Sequence, residues 1–332
     1  MTIDYDKLAK EPRLLMQVDL KPLQGDRFQP TGFADLGPAR YTAPDGTEML
    51  LVESTQSVAN RMELACWDEA EQDLISDLRG LPFIRILDVR NKRVSNSLLE
   101  AHRVNSEYIM DKKKEIKRVL ESENGTPIKF AKDKFRDEFT KEIEYETDGR
   151  VNWRKFHNAL LKYDPNSLLH GCFLEEIGGR LRVTRAVSGF IEASGVGVAE
   201  SGGVKNNIVQ PDLKGGEGNV PYHRTEFTAA QIIAYFNIDL ALLRRYGLAH
   251  DAYNLLLTLA IFKIQRFLST GLRLRTACDL EPQGELAVTR PRNGFPVPPE
   301  TALLKQCNAL VAKCKEAGLF ADPSITEVQW NK

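Results

Sequence analysis

An α+β fold is the class the sequence predicts, on three observations. Two stretches read strand, helix, strand. A hairpin marked by Gly178-Gly179 stands between them, and a long charged segment with helical spacing separates the first stretch from that hairpin.

The elements follow in chain order. Leu14, Met16, Val18 and Leu20 recur at every second position, which makes Leu14 to Leu20 a strand with one buried face. Glu48 to Glu53 is a short apolar run and a second strand. A helix is expected from Gln56 to Asp77, where Val58, Met62, Ala65 and Cys66 keep helical spacing and Ser54, Thr55 or Ser57 can cap the start. Leu81 to Val89 returns to period two. Arg90 to Asp164 then reads as a charged helical insertion, with helices around Ser97 to Met110, Lys129 to Glu144 and Asn152 to Tyr163.

Leu168 to Glu175 and Arg180 to Ile191 read as the two strands of the hairpin. Between Gly195 and Gly218 there are seven glycines and almost no large apolar residue, so a long exposed loop is expected, an arm that orders on a partner. Ile232 to Leu242 is a strand and Asp251 to Thr270 a helix closed by Gly271. Leu272 to Leu280 alternates as an amphipathic strand with Arg273 and Arg275 on one face. A Pro-rich link, Pro291 to Pro299, leads to a last helix from Glu300 to Ala317, stopped by Gly318. Two βαβ-like halves on an antiparallel sheet make a ferredoxin-like core, one domain over residues 1–332 with its C-terminal helix and tail at 300–332.

Composition narrows the function. The 332 residues are 42% hydrophobic and 27% charged, and 45 basic against 46 acidic residues leave a net charge of -1. A wholly basic nucleic-acid binder is excluded, while a local basic surface is not. No apolar run approaches the ~20 residues of a membrane span. Five dispersed cysteines without a C-x-x-C pair point to a reduced cytoplasmic protein with free thiols. The charge is blocked: Glu53 to Asp77 holds seven acidic residues against the single Arg61, and Arg79 to Arg118 holds eleven basic against five acidic.

Catalytic signatures are absent: there is no phosphate-binding glycine loop, no H-E-x-x-H and no G-x-S-x-G. His170 and His223 are the best general-base candidates, since imidazole titrates near neutrality. His170 and Cys172 alternate on one expected strand, but two ligands make no metal site, and no metal or cofactor is expected. Two other segments carry more. Ser54 to Glu63 is rich in short hydrogen-bonding side chains at a helix mouth, where Gln56 and Asn60 share a face and Ser57 and Arg61 the adjoining one. Arg180 and Arg182 lie on one face of a strand with Arg185 beyond, a pattern suited to phosphate contacts that position a nucleic-acid strand without reading it. Lys205 and Asn206 in the glycine arm, and Arg273 after the long helix, complete the candidate RNA-binding set.

Four segments in order carry a family resemblance: Glu53-Ser54-Thr55-Gln56-Ser57-Val58-Ala59-Asn60-Arg61-Met62-Glu63, Leu169-His170-Gly171, Arg185 to Ala193, and Gly271 to Leu280. Together they resemble the RAMP-superfamily backbone subunit of type I CRISPR Cascade, the Cas-seven type of the I-G (formerly I-U) subtype, from about residue 13 to 285. The resemblance implies an RRM-like palm, helical fingers over residues 90–164 and a Gly-rich thumb over 195–222. It implies a non-catalytic subunit that oligomerises along CRISPR guide RNA and presents the spacer for pairing with target nucleic acid. The implied partners are guide RNA, target DNA through the guide, other copies of the chain and other Cascade subunits, with no membrane. On this reading the acidic and basic blocks are complementary flanks of neighbouring copies. The alternative within the same superfamily is an endoribonuclease that processes guide RNA through His170 or His223, or cleaves target RNA through Asp212.

Overall fold

The first strand sets the frame. β1 (Arg13–Pro22) buries Leu14, Met16, Val18 and Leu20 on one face, the alternation its sequence carries. The structure, a computed structural model, describes residues 2–33, 35–110, 129–175, 177–206 and 219–330. β2 (Arg40–Thr42) and β3 (Glu48–Glu53) form a hairpin that leads into α1 (Thr55–Leu64). α1 starts where Ser54 Oγ accepts the N–H of Ser57 at 3.2 Å, an N-cap. It stops at Leu64, short of the expected Asp77. Asp68 Oδ1 takes the N–H groups of Ala70 (2.9 Å) and Glu71 (3.1 Å), so a local turn replaces further helix.

β4 (Phe83–Leu87) and β5 (Arg93–Asn96) come next. The helix expected over Ser97 to Met110 is not formed as one piece. Asn96 Oδ1 accepts from Leu98 and Leu99, and Arg103 adopts φ +53°, which leaves short turns and a single helical turn at Glu107–Met110. β6 (Lys129–Ala131), α2 (Lys132–Glu142) and α3 (Trp153–Tyr163) follow, with Phe135, Phe139, Phe156 and Tyr163 meeting ring against ring.

The stretch expected as one strand from Leu168 to Glu175 divides in two. α4 (Pro165–His170) has Pro at its first position and no amide there to satisfy, then β7 (Cys172–Leu174) begins. Gly171 makes the switch at φ +82°, where an added Cβ would come within 2.9 Å of the Val183 carbonyl oxygen. His170 and Cys172 therefore do not share a strand. The returning segment divides likewise into β8 (Leu181–Val183), paired with β7, and β9 (Val187–Ser194), which joins the main sheet.

The glycine arm is not a loop over its described residues. β10 (Gly197–Asn206) pairs with β11 (Asn219–Thr228) along its whole length, from Gly197↔Thr228 to Asn206↔Asn219. A ladder is made by backbone groups, so a glycine-rich strand pairs when its partner is β-prone, as Val220, Tyr222, Thr225 and Phe227 make β11. At Gly202 an added Cβ would lie 2.6 Å from the Tyr222 carbonyl oxygen, so close approach favours glycine there. Positions 207–218, with Asp212 among them, lie outside the described residues.

β12 (Gln231–Asp239) and α6 (His250–Ser269) match their periodicity, but the strand expected to run to Leu242 ends at Asp239, where Asp239 Oδ1 accepts the N–H of Leu242 at 2.8 Å and caps a short helix, α5 (Leu240–Arg245). The expected single strand after α6 is a hairpin, β13 (Leu272–Arg275) and β14 (Cys278–Pro282), turned through Ala277 at φ +57°. β15 (Ala287–Arg290), α7 (Glu300–Glu316) and β16 (Ile325–Gln329) complete the chain.

The main sheet has eight strands, in the order β13-β14-β1-β12-β9-β3-β2 with β15 also on β1, and its pairs are antiparallel. Four of them, β14-β1-β12-β9, alternate with helices so that α1 lies between β1 and β9 in sequence and α6 between β12 and β14. A second sheet, β6-β16-β4-β5, sits apart. α6 is buried on nearly every face because the main sheet lies on one side and α7, through Leu303, Cys307, Leu310 and Cys314, on the other. All five cysteines are buried and free. Part of the blocked charge pairs within the chain: Arg103 with Glu63, and Arg85 with Asp73.

Candidate nucleic-acid interface

α1 buries Val58, Ala59, Met62 and Glu63, which leaves Gln56 and Asn60 exposed and Ser57 and Arg61 half-buried. The four-residue spacing read from sequence thus becomes an outward polar face.

That face is held from beneath. Glu63 accepts Arg103 Nε and NH2, each at 2.6 Å, and Asn166 Nδ2 at 2.6 Å. Asn166 Oδ1 accepts from Lys263 on α6, and Lys263 Nζ also donates to His170 Nε2 at 2.9 Å. The third guanidinium nitrogen of Arg103, Nη1, donates to the Gly171 carbonyl at 3.1 Å. All of these side chains are buried. Burial, and then the positive charge of Lys263, Arg103 and Arg185, hold the His170 imidazole well below its ordinary value, so it stays neutral. Burial also lowers the Lys263 ammonium and pushes the nearby Asp164 carboxyl up to about 6. His170 is thereby withdrawn from any work on a bound strand. His223 stands exposed on β11, 3.8 Å from Glu200 of β10.

The arginines divide by what they already hold. Arg185 bridges the hairpin to the helix, NH2 to Gln56 Oε1 at 3.0 Å and Nε to the His170 carbonyl at 3.4 Å. Arg182 points outward from β8 with no side-chain partner among the described residues. Arg180 wraps the carbonyls of Glu146 (3.1 Å), Thr147 (2.6 Å) and Gly149 (3.4 Å), with the Tyr145 ring 5.6 Å away. It fastens the hairpin to the loop after α2. Arg61 turns toward the sheet, donating to the carbonyls of Arg273 and Leu274 with Glu53 3.9 Å away. This contact brings β13, at one edge of the sheet, against α1. Arg273 is exposed beside it, 3.8 Å from Asp279. Lys205 and Asn206 lie at the outer described end of the ribbon, opposite Val220 and Asn219.

The structure therefore brings Gln56, Ser57, Asn60 and Arg185 together, sets Arg273 beside Arg61 toward the other end of α1, and leaves Arg182 exposed on the β7–β8 hairpin and Lys205 and Asn206 on the ribbon. A ten-residue helix is about 15 Å long, which sets the scale of the track. Sequence reasoning missed Phe173, which stands directly opposite Arg182 in the β7–β8 ladder and is 44% exposed. The Cys172-Phe173-Leu174 alternation held that signal once the strand was placed correctly. Among the described residues no three His, Cys, Asp or Glu side chains gather as a metal site, and no helix is long and apolar enough to cross a membrane.

Comparison with known proteins adds the family. The chain is similar to a chain of a CRISPR RNA-guided surveillance complex, pre-nicking, at 17% identity over 92% of this chain and 89% of that one, TM-score 0.39. It is also similar to Csc2 of Thermofilum pendens, at 9% identity over 95% and 80%, TM-score 0.31. A chain of another CRISPR RNA-guided surveillance complex is 15% identical over 77% and 71%, TM-score 0.27. No curated protein matches the sequence. The family described as CRISPR-associated protein GSU0053 matches residues 14–198, more than half of the chain and all of the α1 face and its buried anchor except Lys263. On that match, the chain belongs to the CRISPR-associated protein GSU0053 family.

Proposed function

We propose that this protein is a backbone subunit of a CRISPR effector complex, one that grips guide RNA by its phosphates without reading sequence and lines up with other copies of itself along the strand in the cytoplasm. The observation that carries the reading is the outward face of α1, where Gln56, Ser57 and Asn60 lie between Arg185, which donates to Gln56, and Arg273, exposed beside Arg61. Amide and hydroxyl groups with flanking guanidinium ions suit a phosphate chain. Arg61 and Arg180 serve as clamps that hold this surface in place.

The strand order β14-β1-β12-β9 with two intervening helices supports an RRM-like, ferredoxin-like palm. Residues 90–164 are proposed as fingers and the β10–β11 ribbon as the thumb, with Lys205 and Asn206 near its outer end. The remaining partners follow from the same role: target DNA through the guide, and other subunits of the complex.

The test is purification from cells that express a repeat-spacer array. The reading expects a discrete RNA of repeat-spacer length to co-purify, and binding of unrelated single-stranded RNAs with one affinity that falls as salt rises. Preparations free of RNA that also fail to bind it in vitro would defeat the proposal. Incubation with labelled RNA, with and without magnesium, tests the endoribonuclease alternative by the appearance of cleaved product.

A further inference from the structure

The β7–β8 hairpin carries a feature its fold does not use. Its ladder sets Cys172 opposite Val183, Phe173 opposite Arg182 and Leu174 opposite Leu181. Cys172, Leu174, Leu181 and Val183 are buried, so the inner face is complete without the other two residues. On the outer face a phenylalanine ring stands 44% exposed beside an exposed arginine. A strand of three residues would be served as well by threonine at that position, without leaving apolar surface in water.

The flanking arginines show that Arg182 is the exception. Arg180 is committed to three carbonyls and Arg185 to Gln56 and the His170 carbonyl, whereas Arg182 has no partner among the described residues. The hairpin is tethered at both ends. Arg180 pins one end to the loop at 146–149, and Arg103 holds the other through the Gly171 carbonyl. It also adjoins the α1 face through Arg185 and Gln56. An exposed ring, an arginine directly across the ladder with no partner among the described residues, and continuity with a polar track describe a place for one nucleotide.

We propose that Phe173 is a stacking platform for one unpaired base of the bound strand, with Arg182 holding the adjoining phosphate. This rests on the proposed role in RNA binding and adds to it. The track would take single-stranded RNA in preference to duplex, because a base must be splayed out of its helix to lie on the ring. Every base has a π face, so the platform tolerates any sequence.

The experiment compares the full chain with Phe173→Leu, Phe173→Trp and Arg182→Ala, using unrelated single-stranded 5-iodouridine RNAs and a matched RNA duplex. Leucine keeps apolar bulk but not a ring, so Phe173→Leu should lose about tenfold in single-strand affinity at every salt concentration and change duplex binding little. Phe173→Trp should keep full affinity. Arg182→Ala should flatten the dependence of log affinity on log salt by about 0.7. Irradiation of the wild-type complex should cross-link the RNA to Phe173, as mapped by mass spectrometry. Wild-type affinity in Phe173→Leu, or equal loss for single strand and duplex, would overturn the platform and leave the proposed function standing. Failure of the wild-type chain to bind any RNA would overturn both.

Discussion

Lys263 Nζ lies 2.9 Å from Nε2 of His170, with both side chains closed off from solvent between α6 and α4. The imidazole accepts there, so its lone pair is occupied and its ring neutral. Through Asn166 and Glu63 the same chain of hydrogen bonds reaches Arg103 and the underside of α1. The helix that carries the candidate RNA contacts is thus bolted to the longest helix of the core by buried polar groups.

Breaking that chain at one partner should be costly. Arg103→Met leaves Glu63 ionised and buried, and should lower unfolding stability by about 3–5 kcal/mol in urea titrations. Glu63→Gln combined with Arg103→Met should regain a large part of the loss. A single variant within 1 kcal/mol of wild type would mean that the pair is solvated in practice.

The buried Asp164 gives a pH signature. Its carboxyl is pushed from 3.8 up to about 6, chiefly by burial, so the folded state keeps a proton that the unfolded chain has lost. Stability from this group is present below pH 3.8 and is lost as pH rises to about 6. Asp164→Asn removes that dependence. The variant should gain on wild type by about 3 kcal/mol between pH 4 and 6 and hold a constant difference above. His170 and Lys263 titrate in both proteins, so a difference that does not grow with pH would contradict the raised Asp164.

Asn60 is exposed, and its amide has no partner among the described residues. Asn60→Ala should change stability by no more than about 0.5 kcal/mol while weakening RNA binding several-fold. Loss of stability with intact binding would make Asn60 a structural residue.

Among the arginines the effects should separate. Arg182 and Arg185 replaced together by Ala should flatten the salt dependence by about 1.4, the value for two single-strand phosphate contacts. Arg180→Ala should instead loosen the 145–149 loop, seen as faster amide exchange there, with the salt dependence unchanged.

What the sequence made legible was periodicity. β1, β12, α6 and α7 were readable because each buries a regular face, and α6 is long enough to leave no ambiguity. The α1 face was readable for the same reason, since Gln56 and Asn60 share it by spacing alone. α1 was over-extended because the acidic stretch after Leu64 keeps helical composition, while the Asp68 turn that ends it is a local hydrogen bond. The ribbon was hidden because glycine suppresses strand propensity and leaves the ladder to its partner strand, more than ten residues away in sequence. The Glu63–Arg103–Asn166–Lys263 chain joins positions scattered over two hundred residues, and no local pattern announces such a contact. Phe173 was passed over because its strand was read as beginning at Leu168, where the Pro165 helix start and the Gly171 switch were the signals to follow.

The proposed account turns on many copies gripping one strand. Native mass spectrometry of the full chain on unrelated single-stranded RNAs of increasing length tests it most directly. The account predicts that the number of bound copies rises in steps of constant RNA length, whatever the sequence. Replacing residues 199–225 of the ribbon by a short glycine-serine turn should leave single-copy binding and abolish the steps. One copy per RNA at every length, or steps that survive without the ribbon, would contradict it.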